Sequence, residues 1–227
     1  MFSSDLCGSL FKRRRFFYLV LLGLILVSFL VPFDNLFHDW LLPISNTRVA
    51  TLWAHTADFL GNGLVLLSLV LFSAFFIPDA GKKKEFIVNS LTVFALCGII
   101  GQALKFFIGR PRPGTGLGSW QVKLFSSEND FHSFPSGHAT TAFSMALVLC
   151  HYFPKYRGLW ISVATFISLG RLVGQSHFFT DIAASILIAF LVTDFVLKQR
   201  FYGMASLYSR LQPLKGWSKS VYMSGEK

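Results

Sequence analysis

The sequence predicts an all-α membrane protein: a single domain, residues 1–227, forming a bundle of six transmembrane helices with one outward-facing interfacial segment. Three observations support this prediction. Hydrophobic residues make up 53% of the chain, and the mean hydropathy is +0.54. Six apolar runs approach the roughly 20 residues that a helix needs to cross a bilayer. No Pro/Gly/Ser-rich linker or internal repeat divides the chain.

The first apolar run, residues 16–33, follows a basic cluster at 12–15. This order also resembles a signal peptide, but no small-residue cleavage site follows, so we expect a retained first helix. The remaining runs are residues 60–77, 86–108, 139–153, 159–176 and 178–197. The run at 139–153 is short, but a helix that begins near Pro135 lengthens it, because proline suits the first helical position.

The positive charge of the chain indicates its orientation. If the N-terminus is cytoplasmic, fifteen of the 21 Lys and Arg residues lie in cytoplasmic segments. The positive-inside rule then places both termini in the cytoplasm. The basic residues that give the chain its net charge of +10 lie between apolar runs. We therefore expect a lipid bilayer as partner and no nucleic acid.

Several ionisable residues stand at or near the outward ends of the predicted helices. A charge at the centre of a spanning helix costs about 2.5–3.5 kcal/mol, so such residues need a partner or a purpose. Snorkelling explains single Lys or Arg residues but not charges from four helices at one depth. The residues are Lys105, His138, Arg171, His177 and Asp181, with Arg112 in the adjoining loop.

Three short motifs contain these residues. They read Lys105-Phe-Phe-Ile-Gly-Arg-Pro-Arg112-Pro113, Phe134-Pro135-Ser136-Gly137-His138 and Arg171-Leu-Val-Gly-Gln-Ser-His177-Phe-Phe-Thr-Asp181. They resemble the Lys-x6-Arg-Pro, Pro-Ser-Gly-His and Ser-Arg-x5-His-x3-Asp signatures of the type 2 phosphatidic acid phosphatase family. That family also includes soluble acid phosphatases and vanadium-dependent haloperoxidases. One position departs from the pattern, because Gly170 stands where the family has serine and removes a hydroxyl that could support the site.

The resemblance to the membrane branch of this family implies a lipid phosphatase. His177 would be the nucleophile and form a phosphohistidine, and Asp181, four residues later on the same helical face, would accept a proton from its ring. His138 would protonate the leaving oxygen. Phosphate would be held by cations and by the start of a helix, namely Lys105, Arg112, Arg171, Ser136 and Gly137.

No metal or cofactor is expected, because three clustered cations would repel a divalent ion. The resemblance leaves four substrates open: undecaprenyl diphosphate, lipid A phosphate, phosphatidylglycerophosphate and phosphatidic acid. A lipid phosphotransferase would use the same phosphohistidine. A non-enzymatic transporter is disfavoured, because the charges lie on one face and form no chain across the bilayer.

The compact layout favours the inner membrane of a bacterium, with the site on the periplasmic or extracellular side. The outward segment 34–59 has the pattern of an interfacial helix, which either guides a lipid to the site or serves only as a packing lid. His132, in the outward loop 109–134, either contacts the substrate or is a surface residue. The oligomeric state is left open.

Overall fold

The computed structural model describes Leu21, Gly23, Ile25 and residues 31–211, with side chains up to residue 198. Twelve of the 18 residues of the predicted run at 16–33 fall outside these residues. The described part is helical and contains no β-strand. Its α-helices are α1 (Asp34–Ser45), α2 (Arg48–Leu60), α3 (Gly63–Phe72), α4 (Ala80–Ile108), α5 (Gly137–Tyr152), α6 (Arg157–Val173) and α7 (Phe179–Leu211).

Local polar residues set where the helices begin. The side chain of Thr47 accepts a hydrogen bond from Ala50 N at the start of α2. The side chains of Asn62, Asp79 and Ser136 cap α3, α4 and α5 in the same way. Such caps satisfy backbone N–H groups that have no partner inside the helix.

Glycine at position 109 ends α4 and turns the chain back. Gly109 has a φ of 58°, in the left-handed region that glycine adopts without strain. A Cβ atom at this position would lie 1.7 Å from the backbone oxygen of Lys123. The backbone amide of Lys123 donates to Gly109 O at 2.7 Å, so the turn is closed by a direct contact that no other residue would permit.

The helices pack closely against one another. The core cluster joins Ala139, Leu172 and Ile182, from α5, α6 and α7. Helix α2 lies so close to α6 that a Cβ atom at Gly170 would come within 2.3 Å of Ala57 Cβ. Nearby, the indole N–H of Trp53 donates to the Phe166 carbonyl at 3.1 Å. Glycine at 170, where the family motif has serine, is therefore required by the approach of α2.

Residues up to Thr193 form one compact unit, and all the predicted site residues lie in it. The second unit begins at Asp194 within α7, and there Lys198 pairs with Asp194 at 2.7 Å. The division of the chain into one domain, 1–227, stays a prediction.

The all-helical class is confirmed, but the six predicted spans are not. Among the described residues, two stretches are long and apolar enough to cross a membrane, Ala80–Thr115 and Phe179–Lys198. The run predicted at 60–77 is instead the second half of a bent pair, Arg48–Leu60 and Gly63–Phe76, with a 60° break. Helices α5 and α6 have 16 and 17 residues. At 1.5 Å per residue each extends about 25 Å, less than the roughly 30 Å of a hydrocarbon core.

Substitution of Gly170 by alanine should destabilise the protein, because the added methyl overlaps Ala57 Cβ. We expect a loss of about 1–3 kcal/mol in the free energy of unfolding. Thermal unfolding in detergent measures it. Gly158→Ala, in the same helix, is the matched control, since no atom lies within 4 Å of its added Cβ. Equal melting temperatures for the two variants would show that α2 and α6 are not packed this closely.

Candidate active site

The predicted site residues come from helix ends and the loops beside them. Lys105 lies in the last turn of α4, and Arg112 follows in the loop. Ser136 caps α5, and Gly137 and His138 begin it. Arg171 lies in the last turn of α6, His177 lies between α6 and α7, and Asp181 lies in the first turn of α7.

These residues are brought together in one place. A Cβ atom at Gly137 would lie 3.5 Å from Lys105 Nζ, so the lysine reaches the start of α5. Lys105 also lies close enough to Arg112 and Arg171 to interact with their charges, and Arg112 interacts with His177. The fold therefore gathers the three predicted cations beside His138 and His177.

The ring of His177 is held by a backbone carbonyl. His177 is buried, and its Nδ1 lies 2.8 Å from the oxygen of Ser133. A donated Nδ1–H fixes the tautomer and leaves Nε2 with a free lone pair. Burial lowers the pKa of the His177 imidazole below its usual value, which favours the neutral ring that a nucleophile requires.

The sequence-based expectation for Asp181 differs from the geometry. His177 precedes α7, and its Nδ1 is 3.7 Å from Asp181 Oδ2, beyond hydrogen-bonding distance. Asp181 accepts instead from the hydroxyl of Ser133 at 2.5 Å and from Phe178 N at 2.8 Å. The carboxylate thus positions the residue that holds His177 and the residue that follows it. Ser133 was not predicted, because a lone serine beside the second motif has no distinguishing pattern.

Asp181 also belongs to a buried ionic network. Nη1 of Arg110 donates to Asp181 at 2.6 Å, and its Nη2 donates to Asp34 at 2.5 Å. Thr180 accepts from Nη1 of the same arginine at 2.7 Å and donates its backbone N–H to Asp34 at 3.0 Å. Side chains of Arg110, Asp34 and Asp181 are at most 5% exposed. Neither Arg110 nor Asp34 was singled out as a site residue from the sequence.

A second unpredicted carboxylate contacts the site from α2. Asp58 pairs with Nη1 of Arg171 and lies 3.3 Å from Nε2 of His138. Its side chain is 57% exposed, so it reaches these partners from an open side. Gly61 makes room for the histidine, because a Cβ atom there would lie 2.6 Å from His138 Cδ2. Nothing in the pattern of residues 34–59 distinguishes Asp58 from a surface aspartate.

The remaining predicted residues are held by backbone contacts. Nε of Arg112 donates to the Asn129 carbonyl at 3.0 Å. Ser136 is buried, and its hydroxyl oxygen accepts from Ala139 N at 3.4 Å as the helix cap. The His132 ring lies 2.8 Å from the carbonyl of Ser126.

Residues 86–205 match the family model described as the PAP2 superfamily. The chain belongs to the PAP2 superfamily. The family resemblance inferred from the three motifs is thereby confirmed, and the match takes in every predicted site residue.

Named relatives of this PAP2 protein include a lipid A 1-phosphatase of Rhizobium etli, 31% identical over 60% of this chain and 59% of that protein. A second is the bacitracin transport permease protein BcrC of Bacillus licheniformis, 26% identical over 68% of this chain and 73% of that protein. The chain spans little more than half the length of the lipid A 1-phosphatase that it matches.

Two solved structures share the fold. LpxE of Aquifex aeolicus is 28% identical and superposes with a TM-score of 0.56, covering 70% of this chain and 93% of that one. The PAP2-type phosphatidylglycerolphosphate phosphatase of Bacillus subtilis is 20% identical, with a TM-score of 0.55 over 82% of this chain and 96% of that one.

Replacement of Arg110 by lysine should weaken the protein although the charge is kept. Lysine cannot donate to Asp34 and Asp181 with the two-pronged geometry of arginine. We expect a loss of at least about 2 kcal/mol in the free energy of unfolding, because hydrogen bonds to charged groups are lost in a buried place. Denaturation in detergent measures it. Arg48→Lys, at an exposed position, is the control, and an equal effect of both changes would contradict the network's role.

Proposed function

We propose that this PAP2 protein is an integral membrane lipid phosphatase that hydrolyses a phosphomonoester or diphosphate through a phosphohistidine on His177. The observation that carries the proposal is the state of that ring: buried, engaged at Nδ1 by the Ser133 carbonyl, and close to the charges of Lys105 and Arg112. A neutral imidazole with a free Nε2 in a cationic pocket suits attack on a phosphorus atom.

In the first step the Nε2 lone pair of His177 forms a bond to phosphorus. The bond from phosphorus to the lipid oxygen breaks, its electron pair stays on that oxygen, and His138 supplies the proton. Lys105, Arg112 and Arg171 stabilise the charge on the equatorial phosphate oxygens. In the second step water attacks phosphorus, His138 takes the proton from the water, and the phosphate leaves as Nε2 is regenerated.

The positive charge that phosphoryl transfer needs comes in this proposal from side chains, so the reaction proceeds without a metal ion or cofactor. The backbone N–H groups at the start of α5, beside Gly137, add further donors for an anion. Asp181 acts on His177 indirectly, through Ser133 and Phe178. It therefore positions the nucleophile and does not take its proton.

The substrate is proposed to be a lipid of the outer leaflet of a bacterial inner membrane, reached from the periplasmic or extracellular side. The distribution of basic residues supports a cytoplasmic location for both termini. Helix α1 exposes Leu36 and Trp40, at 65% and 68%, which supports its position in the membrane interface. Relatives named for lipid A and phosphatidylglycerolphosphate favour a lipid phosphate as substrate.

Phosphate release from a panel of lipids tests the proposal. Purified protein in detergent with EDTA is offered undecaprenyl diphosphate, phosphatidylglycerophosphate, phosphatidic acid and lipid A. We expect release from at least one lipid and a loss of more than about 1,000-fold in His177→Ala, because the nucleophile is removed. Release that the variant retains, or that EDTA abolishes and zinc restores, would overturn the metal-free histidine mechanism. Product that appears only with an acceptor lipid would identify a phosphotransferase instead.

The proton-donor role of His138 predicts a dependence on the leaving group. His138→Ala should lower kcat by about 10²–10⁴-fold with a lipid substrate. With nitrophenyl phosphate the loss should be much smaller, because nitrophenolate leaves without a proton. Steady-state kinetics on both substrates measure the two losses in kcat. Equal losses on both would assign His138 to phosphate binding alone.

The position of Asp58 predicts that its carboxylate competes with a bound phosphate for Arg171. Because Asp58 pairs with Arg171, a bound phosphate dianion must share that arginine with a like charge. Asp58→Asn should therefore lower the inhibition constant of inorganic phosphate by about two- to fivefold, the range of a solvent-exposed ion pair. Asp39→Asn, an exposed change on α1, controls for net charge. Weaker inhibition in Asp58→Asn would mean that the carboxylate supports phosphate binding.

A further inference from the structure

A polar cavity of about 430 Å³ lies directly beside Arg171. It is bounded by the end of α1, by one face of α2 and by the segment that follows α6. This volume falls within the roughly 300–1,000 Å³ of small-molecule sites. Its polar lining includes Ser45, Thr51, His55, Asp58, Arg171 and Gln175. The cavity therefore adjoins the phosphate site through an arginine that both share.

Two buried atoms at this cavity lack a hydrogen-bond partner. Among the residues whose side chains are described, five buried side-chain atoms are unpaired, and two of them, Arg171 Nε and Gln175 Oε1, belong to residues that line the cavity. Buried polar groups are normally paired, and leaving one without a partner is costly. One of the two is a donor and the other an acceptor, so together they suit a ligand with both kinds of group.

The orientation of the Gln175 amide follows from its neighbour. The Ser45 hydroxyl donates its proton to the Leu41 carbonyl at 2.9 Å. It therefore accepts from Gln175 Nε2, which lies 2.7 Å away, and Oε1 is left as the unpaired atom. Gln175 also has a φ of 54°, a conformation rare for residues other than glycine. The structure thus holds the Gln175 side chain in a defined position and leaves its Oε1 acceptor unpaired.

We infer that this cavity binds the headgroup next to the scissile phosphate and that the headgroup carries hydroxyl groups, as a sugar or a glycerol does. The inference rests on the proposed lipid phosphatase function. A hydroxyl of the headgroup donates to Gln175 Oε1, and an oxygen of the headgroup or of the ester accepts from Arg171 Nε. Phosphatidic acid and polyprenyl diphosphates have no hydroxyl beside the phosphate, so neither satisfies Gln175.

Binding of soluble phosphomonoesters tests the cavity apart from catalysis. The full-length chain with His177→Ala is used, so that no ligand is consumed. We expect glucose 1-phosphate or glycerol 1-phosphate to bind at least about fivefold more tightly than ethyl phosphate, the scale of one hydrogen bond. The tighter of the two hydroxylated ligands indicates the headgroup. Adding Gln175→Met should bring all three affinities to within about twofold.

Turnover of lipid substrates is the second measurement of the role of Gln175. In the otherwise wild-type protein, Gln175→Met should lower kcat/KM for lipid A or phosphatidylglycerophosphate by about five- to tenfold, the loss of one hydrogen bond. The loss on phosphatidic acid, which has no such hydroxyl, should be smaller, and an unchanged melting temperature in detergent shows that the variant is folded. Gln121→Met makes the same chemical change at an exposed loop position and should alter neither.

The outcomes separate the two proposals. Equal affinities for ethyl phosphate and the hydroxylated ligands would overturn the headgroup inference even if the lipids are hydrolysed. Equal losses on all lipids in Gln175→Met would also overturn it, because the residue would then only support the fold. Failure of the wild-type protein to release phosphate would refute the phosphatase function, and the binding measurements would still decide whether the cavity selects hydroxylated phosphates.

Discussion

The paired contacts of Arg110 with Asp34 and Asp181 are the constraint on which the rest of the site depends. They connect the start of α1, the loop after α4 and the start of α7, at separations of 76 and 71 residues. Buried charges cost free energy unless their hydrogen bonds are well formed, so these segments have little freedom to move apart. Through Asp181 the network positions Ser133, and the Ser133 carbonyl holds the His177 ring.

Around this fixed histidine, small residues let charged groups approach. Gly61 leaves space beside His138, because an added Cβ atom would lie 2.6 Å from the Cδ2 atom of that histidine. Gly170 allows α2 to lie against α6, and that approach brings Asp58 to Arg171. The charges of Lys105, Arg112 and Arg171 lie near one another, and the Asp58 carboxylate offsets part of their mutual repulsion because it pairs with Arg171. The departure of Gly170 from the family motif is thus part of how α2 completes the site.

Much of the site was predictable because the motifs concentrate chemistry in short stretches. Lys105, His138 and Arg171 stood out as charges at helix ends, and the fold brings them together. Asp34, Arg110 and Asp58 were missed, since an aspartate in an apparent interfacial segment or an arginine in a loop has no local pattern that reveals a distant partner. The direct contact of His177 with Asp181 was predicted from helical spacing, but the helix begins only at Phe179, so that spacing does not apply.

By itself, the sequence determined the helical class, the membrane character, the family and the residues that carry the proposed chemistry, because each depends on composition or on spacing within a few turns. Tertiary structure alone decided which group holds the His177 ring, the bend between α2 and α3, and that Gln175 and Arg171 share a polar cavity. These features arise from contacts between residues far apart in the chain. Hydrogen bonding and close packing between such residues depend on distances that only the folded arrangement of the helices sets.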